Sequence, residues 1–430
     1  MQKLKRRRPT VAPLFPPAPS WPRDETALLA ETDAPVALLL WQRVRDVRLW
    51  AQAGEGSRAG LFTGGEPVES ALEAGEGLAD SLAVPLRALG ALARYPEFIA
   101  GEDLCAACLA ISEWAEREHM AETALHYAEA AALADPTSAR AAAFAGSACA
   151  RLAADQRAEV WLTRAIRTAW RMKDWEWHAR SYIRMGQLMY ELGHLTRARR
   201  AFHRARSSAQ WSGHYAYAAK AHHELLLVEC IVGTYRAGER HARKALELYP
   251  GQFPRIPHLA HDFAFLLTCH GAYEDALFLL DAALPFFVRS WEQVAILGTI
   301  SKAAAATGRR ERYAEAVADL LLLGSAAETH SAAALVLAAE GAAMLGDDER
   351  AGRLAARALE LAERRHEREP LRRARQVLDG GGGHRVAPPP SEQVAPLRDQ
   401  FADRLRALRA SVAGVGTGEE LARFTMSGRT

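Results

Sequence analysis

Long apolar runs are missing from this 430-residue chain. No stretch approaches the ~18–20 residues that a membrane-spanning helix needs. The most suggestive run, Val36–Trp41, is followed at once by Gln42, Arg43 and Arg45. Cysteine is scarce, and Cys105, Cys108, Cys149, Cys230 and Cys269 are too few for a disulfide framework in a chain this long. They read as small, buried, reduced side chains of a cytoplasmic protein. Net charge is also lacking. Of a formal +2, Lys3, Lys5, Arg6, Arg7 and Arg8 alone supply five positives, so the body is nearly neutral. That excludes the broad basic face of a dedicated nucleic-acid protein. The N-terminus has the arginines of a secretion signal but no apolar segment after them, because prolines interrupt "RRRPTVAPLFPPAPSWP". The basic run is read as a solvated terminus.

Catalytic signatures are absent as well. "GGGGHR" lacks the Gly-Lys-Ser/Thr ending of a phosphate loop, and no G-x-S-x-G occurs. "CAAC" at Cys105–Cys108 lacks the strand-to-helix context of a redox pair, and no second C-x-x-C completes a zinc site. Histidines cluster at His222, His223, His241, His258, His261 and His270, and at His119 with Glu122 and His126. None of these groups forms H-E-x-x-H or another ligand pattern. The expectation is no enzyme, no metal and no cofactor. Trp170, Trp175 and Trp177 read as core filling rather than as an aromatic site.

What is present is helical periodicity. A helix is expected from Asp33, as N-cap, with Val36, Leu39, Leu40, Val44, Val47 and Trp50 on one face. A glycine-rich loop from Gly54 to Gly65 follows, then a helical stretch near Leu78–Tyr95, kinked at Pro85. From Cys105 to about Leu361 the chain repeats itself. In "MGQLMYELGHLTRARRAFHRA", Gly186 is followed twelve residues later by Ala198, then Phe202 and Ala205. The same offsets give Gly146, Ala158, Leu162, Ala165 and Ser112, Ala124, Ala128, Ala131. They recur at Leu226, Gly238, Ala242, Ala245, at Ala264, Ala276, Leu280, Ala283 and at Ala339, Ala351, Ala355, Ala358. A degenerate copy holds Ala314, Ala318 and Leu321. Small residues at such spacing belong where two helices cross closely and a bulky side chain would overpack the contact.

This spacing resembles the tetratricopeptide repeat, with its small residue after Leu, then A-x3-F-x2-A and often Pro. Most intervals exceed the minimal 34-residue unit by a few residues, as in the longer-helix repeats of bacterial regulators and scaffolds. The resemblance implies an all-α, right-handed superhelical solenoid of about seven helical hairpins with helical caps at both ends. The first helix of each hairpin would line a concave groove. The domain reading is a disordered basic, Pro-rich tail over 1–23, a helical capping region over 24–100 and the solenoid over 101–378. A Gly/Pro linker over 379–395 and a C-terminal amphipathic helix and tail over 396–430 complete it. That last helix shows Leu397, Phe401, Leu405 and Leu408 on one face.

By the same resemblance, residues near the start of each first helix face the groove. This selects Arg140, Arg180, Lys220 and His258 as equivalent positions, then His223 and His261, Gln187 and Phe265, and Tyr190. The four leading residues make a positive ladder suited to an acidic partner segment. Some relatives clamp a partner's terminal carboxylate with Lys, Asn and Arg, but here those asparagines are missing and Glu113 stands in one such place. The expected function is a non-catalytic protein-interaction scaffold. The alternative is a regulatory or sensor module acting on a separate effector, with the C-terminal helix as its switch. Neither reading calls for a small-molecule substrate, nucleic acid or a membrane.

Overall fold

The computed structural model describes residue 24 and residues 26–62, 78–249, 255–324, 330–365, 367–381 and 388–413. The 1–23 tail and residues 382–387 of the expected linker lie outside the described residues. Among the described residues there are eighteen α-helices and no strand. The chain divides between Leu188 and Met189 into two compact units.

The N-terminal unit begins with α1 (Ala34–Gln52) and α2 (Asp80–Gly90), followed by α3 (Gly101–Arg117), α4 (Ala121–Ala134), α5 (Ala139–Arg151) and α6 (Asp155–Met172). Most of α7 (Trp175–Glu191) also belongs to it. Helices α3 with α4 and α5 with α6 pair as hairpins, α1 packs on α4, and α2 packs on α3. Pro85 sits inside α2, and residues Glu55–Gly60, expected as loop, form a 3-10 helix. Asp33 stands at the N-cap of α1 without a side-chain cap bond, and its backbone carbonyl takes the Ala37 N–H at 2.8 Å.

The N-terminus of α4 carries no local side-chain cap, so its orphan N–H groups need another acceptor. Glu31 supplies it from 91 residues away, accepting from the Glu122 and Thr123 N–H groups at 2.8 Å each. Its carboxylate also takes the Thr123 hydroxyl at 2.7 Å. A carboxylate at this end of the helix suits the macrodipole too.

The C-terminal unit runs through α8 (Leu195–Trp211), α9 (Tyr215–Val232), α10 (Tyr235–Leu248), α11 (Ile256–Cys269), α12 (Tyr273–Ala283), α13 (Ser290–Ala306) and α14 (Arg310–Leu323). It ends with α15 (Ser331–Met344), α16 (Asp348–Arg365), α17 (Arg368–Leu378) and α18 (Ser391–Ala413). The pairs α9–α10, α11–α12, α13–α14 and α15–α16 are hairpins, and α17 packs on both α15 and α16. Several turns place one residue in the left-handed region. Gly271, Gly308 and Gly346 do this here at φ near 80°. His119 and Ala153 occupy the matching place in the N-terminal unit without a glycine's freedom.

The degenerate repeat is in a different register from the one expected. Ala314 and Ala318 are exposed on α14, while Tyr313, Val317 and Leu320 are buried. Tyrosine fits where other copies use alanine because Gly341 leaves the space: a Cβ there would lie 3.0 Å from Tyr313 Cε2. The Tyr313 hydroxyl donates to the Ala338 carbonyl at 3.0 Å.

Helix α18 begins five residues earlier than Pro396 and buries Val394, Leu397, Phe401, Leu405 and Leu408 against α10, α11 and α12. Phe401 stacks on Phe263 with ring centroids 5.3 Å apart. Arg398 pairs with Asp275 at 2.5 Å.

Candidate functional site

In the N-terminal unit the face shared by α3, α5 and α7 alternates guanidinium groups with aromatic rings. Arg140 pairs with Glu113, and Arg151 pairs with Glu116 at 2.7 Å. Arg140 also lies 5.6 Å from the Phe144 ring centre. Arg180 lies 3.8 Å over Trp177 and reaches Glu176, one turn back on its own helix, at 3.2 Å. Phe144 and Trp177 are neighbours, with centroids 6.1 Å apart. Arg184 covers the other side of this group, 4.8 Å from Phe144. Its Nη1 donates to the Ala143 carbonyl at 3.3 Å and to the Ser147 hydroxyl. Burial is the main cause that pushes Arg184 down to about 10. Among the described residues no carboxylate stands within ion-pair distance of it.

In the C-terminal unit the corresponding face is built of histidines and acids. His223 Nε2 meets Asp262 Oδ2 at 2.6 Å, and His261 Nδ1 meets the other oxygen at 3.0 Å. Burial pushes Asp262 up, but the hydrogen bonds and charge of His223 and His261 outweigh it and hold its carboxyl below the usual range. His258 contacts Glu292 at 3.2 Å, and Phe287 lies against both His258 and His261. Glu340 on α15 accepts from Lys302 and, through both oxygens, from Arg373 of α17. Burial and then nearby Cys230 and Asp262 hold the Tyr190 hydroxyl above its ordinary range.

Thr299, His261 and Asp262 follow one another in the order of an acyl-transfer triad, with Thr299 Oγ1 3.2 Å from His261 Nε2. Thr299 is only 1% exposed, however, and its hydroxyl also reaches back to the Ala295 carbonyl at 3.3 Å. A nucleophile sealed in mid-helix meets no substrate. The "CAAC" thiols are equally closed off: burial pushes Cys105 up to about 11 and raises Cys108 further. No group of three or more His, Cys, Asp or Glu among the described residues has metal-site geometry.

The repeat contacts decide what kind of hairpin carries these faces. A Cβ added at Gly146 would lie 2.7 Å from Leu162 Cγ, so helices α5 and α6 cross where no side chain fits. Ala158, Leu162 and Ala165 are fully buried beside it. In the C-terminal unit a Cβ added at Gly238 of α10 would lie 2.6 Å from Leu266 Cδ2 of α11, a close approach between neighbouring hairpins, and Ala198, Phe202 and Ala205 are fully buried. The hairpins are helix pairs closed on small residues, at a spacing that resembles the tetratricopeptide repeat.

No known family's sequence profile matches this chain, and no curated protein is detectably similar to it. Solved structures give likenesses. A tetratricopeptide repeat protein from Parabacteroides merdae is 16% identical, over 63% of this chain and 99% of that one, with a TM-score of 0.43. The Rap conjugation gene regulator of plasmid pLS20, solved with the Phr* peptide, is 14% identical over 89% and 98%, at 0.44. BtubC from P. vanneervenii is 15% identical over 53% and 92%, at 0.41.

The selected residues fall into two groups. Arg140, Arg180 and half-buried Gln187 belong to the N-terminal unit. Tyr190, Lys220, His223, His258, His261 and Phe265, all half-buried, belong to the C-terminal unit. Arg140, Arg180, His223, His258 and His261 each hold an acidic neighbour, so a ladder of bare positive charge is not what these side chains present. The chain contains no asparagine at all. Spacing alone missed Arg184 and Asp262, whose roles depend on side chains far away in sequence. Trp170, expected in the core, is 62% exposed at the end of α6.

Proposed function

We propose that this protein is a non-catalytic interaction scaffold that holds a segment of a partner protein along the first helices of its hairpins. The observation that carries the reading is the set of polar side chains fixed on those helices. Arg140, Arg180, His223, His258 and His261 are each partly exposed and each oriented by a neighbour from the same or an adjacent helix. Preset donors cost little entropy when a partner arrives. An extended or helical segment laid across a repeat surface is the common use of such architecture. An acidic segment suits the face of α3, α5 and α7, which carries Arg140, Arg151, Arg180 and Arg184. The protein acts without a cofactor, in the cytoplasm.

Reversing charge at Arg180 and Lys220 together should weaken partner capture several-fold and reduce its salt sensitivity, with helicity unchanged by circular dichroism. Recovery of the same partners with the same salt dependence would sink the proposal. The regulatory alternative, with the C-terminal helix as a switch, has less support. Helix α18 packs on the side of α11 that carries Phe263, whereas His258 and His261 lie on another side of that helix.

A further inference from the structure

We infer that the guanidinium of Arg184 is the anchor of an oxyanion subsite on the N-terminal unit, built to take a phosphoryl group on a serine or threonine of the partner segment. The inference rests on the scaffold reading above and adds the chemistry that one part of the partner must carry.

The starting point is a charge with no direct ion pair: Glu116 and Glu113 lie near enough to act on Arg184, but each is bonded to another arginine. Glu113 is taken by Arg140 and Glu116 by Arg151, across adjacent first helices. Arg184 is left with two neutral acceptors, the Ala143 carbonyl and the Ser147 hydroxyl, and both engage the same nitrogen, Nη1. Its Nε and Nη2 have no acceptor among the described residues. A half-buried guanidinium with two donors left open to an acceptor suits an anion. Phe144 backs the plane of the group and fixes it.

The second observation is the company it keeps. Arg180 is held flat over Trp177 on the same helix, one turn earlier. Its ion pair with Glu176 is a same-helix surface contact of the kind that contributes little. Arg151, at the C-terminal end of α5, is near enough to act on Arg184, and Arg140 stands at the other end of that helix against Phe144. Guanidinium forks arriving from two helices suit a tetrahedral group with three terminal oxygens better than a planar carboxylate with two. A phosphoryl dianion placed opposite an arginine cluster gains one to three charge-assisted hydrogen bonds.

The test uses the full chain and needs no partner. Inorganic phosphate and a short phosphoserine peptide are titrated against it, at constant ionic strength. Chloride, acetate and the same peptide carrying glutamate serve as comparisons. Phosphate and the phosphopeptide should bind and raise the melting temperature, and the comparisons should not. Arg184→Met should weaken binding by about tenfold or more, the loss of one charge-assisted contact. The unliganded variant should be at least as stable as the wild type, because a half-buried charge with no direct ion pair has gone. Arg184→Lys, which keeps the charge but not the fork, should fall between them. Equal binding of the glutamate peptide overturns the phosphoryl assignment, and an unchanged response in Arg184→Met overturns the site. Loss of capture in the Arg180/Lys220 variant bears on the scaffold reading alone, so the two failures are distinguishable.

Discussion

Replacing Gly298 with alanine adds a single methyl group at the place where α13 and α15 touch backbone to backbone. That methyl would stand 2.6 Å from Ala334 Cα and 2.7 Å from its Cβ. Carbon atoms pack best at about 3.5–4.0 Å, so the helices must separate by roughly an ångström. Neither contacting atom belongs to a side chain that can rotate away. Overpacking of this kind costs about 1–3 kcal/mol. Alanine's better helix propensity offsets up to ~1 kcal/mol of it. Gly352 on α16 is the matched control, because nothing lies within 4 Å of its added Cβ. There the propensity term acts alone, and Gly352→Ala should stabilise by up to ~1 kcal/mol. Two compact units make a single global unfolding curve a poor gauge. Native-state hydrogen exchange of the α13 and α15 amides is the better measurement. Protection should drop in Gly298→Ala and hold or rise in Gly352→Ala. Equal or greater protection in Gly298→Ala would refute the close contact between α13 and α15.

Acid should loosen the C-terminal unit before its carboxylates are titrated. Burial, then Arg206 and Lys244, pushes His222 down to about 4, and burial, then His222 and His203, pushes its hydrogen-bonded neighbour His241 down to about 3. Both are neutral in the fold, whereas the unfolded chain binds protons below its ordinary value of 6.5. Their contribution is therefore complete above pH 6.5 and declines as the pH falls toward 4 and then 3. The denaturant midpoint of the C-terminal unit, followed through exchange of its α9 and α10 amides, should decline less steeply between pH 6.5 and 5 in His241→Gln, and an unchanged slope would refute this. Phe401→Ala should cost about 3–5 kcal/mol of the α18 docking and release that helix to exchange and proteolysis. Undiminished protection of its amides would show that the Phe263 stack is not what holds it.

The small-residue columns were legible because close helix crossing is a local, repeated demand, and Gly146 or Ala205 satisfies it in any context. The tyrosine-filled repeat was not. Its register depends on Gly341, which lies 28 residues beyond Tyr313 and on another helix. The cap on α4 escaped for a similar reason, since its acceptor, Glu31, comes from before α1. The candidate site was legible only as a set of positions. Arg140, Arg180 and His258 could be placed on first helices by spacing, but their ion pairs were set by Glu113, Glu176 and Glu292. A charge count along the chain gives no hint that Arg184 has no carboxylate at ion-pair distance among the described residues, because that is a property of three packed helices.

Helix α18 changes the way the C-terminal unit comes apart. An array of helical pairs bound only to nearest neighbours frays from its ends, each pair leaving without consulting those further in. The contact between Arg398 and Asp275 spans 123 residues, so α13 to α17 lie within a loop whose two ends are fastened together. Peeling from the C-terminus must begin by undoing a clasp in the middle of the array. The terminal helices therefore share the fate of α11 and α12, and the unit should lose its structure in one cooperative step rather than pair by pair.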